Sequence, residues 1–422
     1  MKAAAKTSKK KRKKKKPRPP SASTATAAKS SKSTPTRKPA SLLNAVPPET
    51  LEAAARIRSS GHKAWLAGGC VRDLLLKRKP KDWDLVSDAT LDELKAVFPE
   101  HLPVGVAFGI LKLPPRSDVL MDVAAFRAEG GYSDKRRPDH VRHGTQAEDQ
   151  SRRDFTINAL YLDMTTGSVM DGVGGLLDLK KGIIRAVGDA HVRFDEDALR
   201  ILRAARFAAQ LGFAVEKKTL AAMKTCAEGL SAISRERVRE ETLRALGSSH
   251  PTHFFTTLNA CGLWPQVFGT PPPPSALLKA LLTVTGKGPD RALLWLAAFS
   301  AVGAALDLKE HLRLTNHEAH AINAVERLCR LGPSDALSPP ALVELESTHS
   351  GLWGTVAVAL KTVGPAAKVK TALNACQALS RAARPPPAWV KSQDLIAQGI
   401  APGPALGRAL NEKNWQRILK KA

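Results

Sequence analysis

Apolar residues recur along this chain at two periods, and the change from one to the other marks its main boundary. Leu51, Ala54 and Ala55 share one face of a predicted helix over 51–57, which Ser59-Ser60-Gly61 closes. Ala64-Trp65-Leu66-Ala67 is a short apolar run stopped by Gly68-Gly69, the pattern of a buried strand, and a helix restarts over 71–76. Residues 82–86, 104–113 and 119–126 read as further strands, the last two joined by a turn at Pro114-Pro115-Arg116-Ser117. Polar residues dominate 130–150, which reads as a mobile loop. Phe155 to Leu162 and Ile183 to Val187 complete a mixed α/β region.

From Asp195 the spacing turns helical almost without interruption. Leu199, Leu202, Ala205 and Ala209 keep the helical period until Gly212 stops it. Further helices are expected over 217–229, 234–247 and 252–261. Ala/Leu-rich helical text then fills 275–332, 339–348 and 353–381, set off by the breaks Pro271 to Pro274 and Pro385-Pro386-Pro387. No internal repeat is visible. The pattern predicts a mixed α/β head followed by an all-α body.

Composition adds a partner to this picture. The 422 residues are 43% hydrophobic, which excludes wholesale disorder, and their net charge is +26. Residues 1–40 hold 15 Lys and Arg and no acid, so 50 basic side chains face 39 acidic ones in the remainder. The tail, from Lys9-Lys10-Lys11-Arg12-Lys13 through the Ser/Thr/Ala/Lys mixture, has almost nothing to bury and is expected to be disordered. It reads as a polyanion-binding arm, a solvated tail or a targeting address, and no apolar h-region follows it to make a signal peptide. No stretch reaches the roughly 18 apolar residues of a membrane span. Cys70, Cys226, Cys261, Cys329 and Cys376 lie far apart without a C-x-x-C pair, so a reducing compartment, the cytoplasm, is expected rather than a disulfide scaffold or zinc ribbon. The folded part stays basic, and nucleic acid is the partner this favours.

Chemistry enters with Asp82-Trp83-Asp84. Carboxylates two apart on a strand project from one face, roughly 7 Å apart, and converge on the paired divalent ions of two-metal sites. Asp122, flanked by Met121 and Val123, is a third acid in apolar company. It reads either as a metal ligand or its support, or as an exposed residue of an edge strand. Upstream, Gly68-Gly69-Cys70-Val71-Arg72-Asp73 lies between a strand and a helix start, where glycines admit an anion to backbone N–H groups and an Arg adds a fork of donors. Neither the Walker pattern nor the dinucleotide G-x-G-x-x-G with its acid is present, which removes ATP hydrolysis and dinucleotide redox chemistry. His311, His317 and His320 miss metal-ligand spacing and read as helix-surface residues. The seven Trp are scattered and read as packing residues.

Four motifs now stand in order: G-G-x-V-R-D at 68–73, D-x-D at 82–84, Arg152-Arg153-Asp154-Phe155-Thr156-Ile157-Asn158-Ala159, and Glu196-Asp197-Ala198-Leu199-Arg200. In these the chain resembles the class II tRNA nucleotidyltransferase (CCA-adding) and bacterial poly(A) polymerase family of the polymerase-β superfamily, strongly over about 47–250 and in character beyond. One departure is Leu85-Val86-Ser87 after the D-x-D, where the family usually has an apolar residue and Ala-Thr. The resemblance implies an α+β fold: a polymerase-β-like head with a mixed sheet, then an all-α neck, body and tail. It divides the chain into a disordered Lys-rich tail (1–45), a nucleotidyltransferase head (46–188), a helical neck (189–250), an all-α body (251–388) and a C-terminal segment (389–422).

The resemblance implies roles as well. Asp82, Asp84 and Asp122 would be catalytic, with Asp82 and Asp84 holding Mg²⁺. Gly68, Gly69 and Arg72 would hold the triphosphate, and Arg153 and Asp154 would contact the nucleotide and align the motif that follows. Asp197, Arg200, Arg203 and Arg206 recur every three residues and read as side-by-side neighbours on one helix, either Arg–carboxylate pairs on a solvated face or a set that reads base edges. Cytosine and adenine both present an amino donor where uracil and guanine carry a carbonyl, so an Asp–Arg pair accepts C and A and rejects U and G without a template. The resemblance assigns this to Asp197 and Arg200, with Arg203 and Arg206 completing the pocket. The loop Gly131 to Pro138 matches a flexible family segment, read either as reshaping between C and A addition or as a basic surface loop.

The implied reaction is attack of an RNA 3′-hydroxyl on the α-phosphorus of CTP or ATP, with tRNA, at its 3′ end and acceptor arm, as partner. Val104 to Leu113 and the segment Ser392 to Pro404 resemble the CCA-adding form, Ser392 standing where Gly is usual. Poly(A) synthesis, or addition of only CC or only A, remains an alternative reading. A non-catalytic RNA-binding protein would be expected to have lost Asp82 or Asp84. No pattern specifies a protein partner or an oligomeric state.

Overall fold

Strand alternation builds the sheet that carries the aspartates. In β1 (Ala64–Ala67), Ala64 and Leu66 pack into the main core while Trp65 and Ala67 join a smaller cluster with Val86, Phe126 and Tyr161. β2 (Trp83–Ser87) repeats this, with Trp83 and Leu85 in the main core and Val86 in the smaller one. Asp84 shares the parity of Val86. It therefore lies on the face that Trp65, Phe126 and Tyr161 occupy, away from the covering helices.

The structure is a computed structural model and describes residues 40–103, 109–132, 138–273, 288–301, 308–320, 322, 323, 391–403, 405, 406, 409 and 413. Most of the Lys-rich tail, the start of the strand expected over 104–113, residues 133–137 of the expected flexible loop and most of the expected helical body lie outside the described residues.

α2 (Pro48–Ser59) follows a short helix, α1 (Ala40–Leu43), and with α3 (Gly69–Leu75) and α4 (Leu91–Val97) it covers the main-core face of the sheet. The sheet order is β3 (Ile110–Arg116), β4 (Val119–Ala125), β2, β1, β7 (Tyr161–Asp163), β8 (Val169–Met170). Its one parallel pair is β2 with β4, whose register sets Asp84 opposite Asp122; the other pairs are antiparallel. The sheet is mixed, as expected.

Two local expectations are corrected. The turn before β4 is Ser117-Asp118, both at positive φ (48° and 63°), and Pro114 and Pro115 lie within β3, where the register shifts. β3 is the edge strand, so prolines lacking an N–H are tolerated there. Within the stretch read as a mobile loop, the described residues hold a ribbon of β5 (Arg127–Gly130) and β6 (His140–His143) and then α5 (Gln146–Ser151), which Thr145 and Glu148 cap reciprocally. Phe155 to Leu162, which completes the α/β region, opens with a 3-10 turn at Thr156–Asn158.

Beyond α6 (Gly175–Lys181) a two-stranded parallel sheet, β9 (Ile183–Ile184) with β10 (Ala214–Val215), precedes and follows the helices α7 (Ala190–Glu196) and α8 (Leu199–Leu211). α8 buries Ile201, Leu202, Ala204, Ala205, Ala208 and Ala209 against α10 (Arg235–Leu246) and α11 (Pro251–Cys261), while α9 (Lys217–Thr225) packs on α7. The small residues along α8 allow these helices to approach closely, and Gly212 ends it in the left-handed conformation. Phe255, Trp264, Phe268, Trp295 and Phe299 form an aromatic cluster at the described end of the helical part.

Candidate active site

β1 ends at Gly68, whose φ is +80°. A Cβ there would lie 2.8 Å from Arg153 Nη1 and 3.9 Å from Asp84 Oδ2, so glycine admits both groups to the strand end. Gly69 opens α3, and Arg72 follows within its first turn. The Arg72 side chain is nearly buried (8% exposed). Nη1 donates to Asn158 Oδ1 (2.6 Å), Nε donates to Asp73 Oδ1 (2.9 Å), and the guanidinium lies 5.2 Å from the Phe207 ring centre.

Asp82 stands just before β2 and Asp84 within it, and both line the same cleft. Burial, then the charge of Asp82, pushes the Asp84 carboxyl up to about 6; Arg153 opposes this and Asp122 adds to it. Two crowded carboxylates lining one cleft are a donor set that a hard divalent cation takes, because the cation removes the repulsion that burial sharpens. The residues present fit such an ion. Asp122 is not the exposed edge-strand residue of the alternative reading: β4 is an inner strand that sets it opposite Asp84, and its half-buried carboxylate is held by Lys112 Nζ at 3.0 and 2.9 Å, outside the cleft lining.

The opposite wall begins at the end of α5. Asp149, fully buried, accepts from Arg152 Nε (2.9 Å), from Arg153 Nη2 (3.1 Å) and from the Tyr161 hydroxyl; burial alone would raise its pKa, but the charges of Arg153 and Arg152 and these hydrogen bonds outweigh it and hold it below the usual range. Arg153 is held further by Tyr161, its Nε donating to the hydroxyl at 2.8 Å. Asp154 is the hub of the cleft floor. Arg203 donates to its Oδ2 through Nε (2.9 Å) and Nη2 (2.6 Å), and Asn158 Nδ2 donates to Oδ1 (3.1 Å). Burial alone would raise the Asp154 pKa, but the Arg203 charge and these hydrogen bonds outweigh it, and it falls to about 2. Arg72, Asn158, Asp154 and Arg203 thus form one chain of charge-assisted bonds across the floor.

The expected single helix through Asp197, Arg200, Arg203 and Arg206 is interrupted. Asp197 ends α7 with extended backbone (φ −146°, ψ 101°), and its Oδ1 accepts from the Leu199 amide (3.1 Å) at the start of α8. The expected Asp197–Arg200 pair is not made. Arg200 donates through Nη1 to Glu196 Oε2 (2.5 Å) and to the Arg193 carbonyl, and through Nη2 to the Arg152 carbonyl. Asp197 Oδ2 is instead held by Arg237 Nη2 of α10 at 3.1 Å. Arg206 does not reach the cleft: it is 6% exposed, paired with Glu241 of α10 and with Gln210, and stacked on Phe207 at 4.0 Å. A step of three residues turns back about 60° on a helix, so two steps carry Arg206 about 120° from Arg200.

One cleft of about 430 Å³ gathers Gly68, Gly69, Arg72, Asp82, Asp84, Arg153, Asp154, Asp197, Arg200 and Arg203. Sequence reasoning missed Arg152, Asn158, Leu199, Phe207 and Arg237, which line it too. Arg152 and Asn158 stand inside the quoted R-R-D-F-T-x-N-A run, and Phe207 stands four residues after Arg203. Arg237 belongs to no motif and is brought in by the packing of α10 on α8.

Comparison with known proteins extends this geometry. The family described as "Poly A polymerase head domain" matches residues 64–185, and the one described as "Probable RNA and SrmB- binding site of polymerase A" matches 212–274. A CCA-adding enzyme of Levilactobacillus brevis is 33% identical over 371 residues, covering 86% of this chain and 92% of that protein. The Bacillus stearothermophilus CCA-adding enzyme, solved in complex with CTP, superposes with a TM-score of 0.70 at 26% identity over 89% of this chain and 94% of the other. The Thermotoga maritima CCA-adding enzyme complexed with tRNA_CCA shares the fold, at a TM-score of 0.61 and 20% identity over 92% and 98%. With a relative of this identity matched over nearly its whole length, and the motif residues gathered in one cleft, this chain belongs to the CCA-adding enzyme family of tRNA nucleotidyltransferases.

Proposed function

We infer that this chain completes tRNA 3′ ends by adding C, C and A from CTP and ATP, without a nucleic-acid template, and releases a pyrophosphate at each step. The observation that carries the reading is the convergence, in one cleft, of the Asp82/Asp84 carboxylates, the Gly68-Gly69/Arg72 turn and the Asp154/Asp197/Arg200/Arg203 floor. The cleft volume suits a nucleotide. In the reaction the RNA 3′-oxygen forms a bond to the α-phosphorus, and the bond from that phosphorus to the bridging oxygen breaks. Mg²⁺ held by Asp82 and Asp84 would supply charge neutralisation for the hydroxyl and for the departing pyrophosphate.

The chain's own residues position the reactants. Arg72 and the Gly69 amide bind the triphosphate at the start of α3, and Arg153, held by Asp149 and Tyr161, balances charge beside Asp84. Asp154 and Arg203 fix the nucleotide over the floor. Asp197 accepts from the amino group that C and A share, and Arg200 offers donors beside it when its pairing with Glu196 is exchanged. Arg206 acts from behind, joining α8 to α10.

The deciding experiment incubates the protein and Mg²⁺ with a tRNA lacking its 3′ end and each labelled nucleotide, resolving products at single-nucleotide length. Addition that stops after C, C and A is the expected result. Unlimited A addition would move the chain to poly(A) synthesis, the activity that the matching head family's description names. Only CC or only A would show a divided pathway, and RNA binding without incorporation would remove the enzyme reading.

A further inference from the structure

Arg237 is the cleft residue that no motif announces. Its Nη2 donates to Asp197 Oδ2 at 3.1 Å, while Asp197 Oδ1 is taken by the Leu199 amide at 3.1 Å. Both carboxylate oxygens are thereby fixed, one by the start of α8 and the other by α10. Arg200, the expected partner, spends both its Nη atoms on Glu196 and on the carbonyls of Arg193 and Arg152. The Nη1 of Arg237, by contrast, is buried and has no hydrogen-bond partner among the described residues, while the side chain lines the cleft. A buried guanidinium nitrogen without an acceptor is costly, and a ligand acceptor in the cleft relieves it.

From this juxtaposition we propose that Arg237 is a specificity-determining positioning residue. It aims the Asp197 carboxylate at the amino group of the incoming base and leaves Nη1 to the nucleotide. The assignment rests on the reading of Asp197 as the base reader. A carboxylate oxygen has two lone pairs, so Oδ2 still has one for the C or A amino group after accepting from Arg237. Against uracil the fixed carboxylate meets a carbonyl oxygen. It cannot swing away, because Leu199 and Arg237 hold its two ends. Rejection of U therefore depends on the clamp as much as on the acid.

The test compares Arg237→Ala, Arg237→Lys and Asp197→Ala with the unaltered protein, measuring kcat/KM for CTP and UTP on a tRNA lacking CCA, with thermal unfolding alongside. Arg237→Ala is expected to lower the CTP-over-UTP ratio by on the order of tenfold or more, mostly through faster UTP addition relative to CTP. Arg237→Lys, which keeps one donor, should recover part of the ratio and answers the question if the alanine variant does not fold. Loss of CTP and UTP addition in equal proportion, with the ratio kept, would make Arg237 a packing residue and overturn the proposal. If Asp197→Ala keeps the ratio, the reading of Asp197 itself fails. If Asp197→Ala loses it while Arg237→Ala and Arg237→Lys keep it, the clamp alone is wrong.

Discussion

Single side chains decide whether this cleft has chemistry. Asp84, raised to about 6 by burial and by Asp82, is a carboxylate whose environment calls for a cation. Asp84→Asn removes the charge and keeps the shape, so CTP addition should fall at least about a hundredfold while tRNA binding, measured by filter retention, persists. Gly68→Ala acts differently. The new Cβ meets Arg153 Nη1 at 2.8 Å on a backbone of φ +80°, a strain of about 1–2 kcal/mol that urea unfolding should report, with a raised KM for CTP because Arg153 must move. Asp154 supplies a pH prediction. Its folded pKa of about 2 lies below its unfolded value, so its contribution is fully present above about 4 and is lost as pH falls through 2. The stability of Asp154→Asn should therefore fall less steeply between pH 5 and 3 than that of the unaltered chain. The Gly68-Gly69 turn and the Asp82/Asp84 pair were legible from their own chemistry, glycines before a helix and carboxylates two apart, whereas Arg153, Asp154, Asp197, Arg200 and Arg203 were legible only through the family resemblance. Arg206 was misread because a spacing of three looks constant in sequence yet rotates around a helix. Arg237 was invisible because its only signal is the contact it makes.

Elements rather than residues set the distance between the two sides of the Asp197 clamp. α8 supplies Arg200 and Arg203, α10 supplies Arg237, and the buried pair of Arg206 with Glu241 ties the two helices. Each side chain of that pair is nearly inaccessible, so breaking it leaves an uncompensated charge. Glu241→Ala should destabilise the protein by about 3–5 kcal/mol, and Arg206→Met with Glu241→Leu together should recover most of the loss. Denaturant unfolding of the three variants checks this, and a double variant as unstable as the single one would show that the pair is not the tie. The elements themselves were readable wherever one face is buried, as in β1, β2 and α8. They were misread where turn chemistry competes: Pro114-Pro115 looked like a turn, yet two consecutive positive-φ residues, Ser117 and Asp118, make it. The ribbon of β5 and β6 hides in polar text because its β6 strand is exposed along its length and β5 only half-buried, so no apolar alternation records it.

The whole molecule adds an electrostatic scale that neither cleft nor helices explain. The order of four motifs along the chain was enough to name a fold through the family it resembles, and the structure gathers those residues from a β1–glycine turn–α3–β2 unit and a later helix pair. The charge in residues 1–40, 15 Lys and Arg without an acid, precedes the four motifs in the sequence. Attraction of such a segment to phosphates works through release of condensed counterions and weakens steeply with salt. As a polyanion-binding arm it is expected to act on capture of tRNA and not on bond formation in the cleft. Removing residues 1–39 should raise the KM for tRNA at low salt and leave kcat with saturating tRNA unchanged. The two proteins should converge as salt approaches about 0.5 M, where the Debye length shortens to a few ångströms. The slope of log KM against log salt separates the possibilities: a shallower slope after truncation places the tail on the RNA, whereas parallel slopes would leave it a solvated appendage. A fall in kcat at saturating tRNA would instead implicate the tail in the chemical cycle and contradict the assignment to capture.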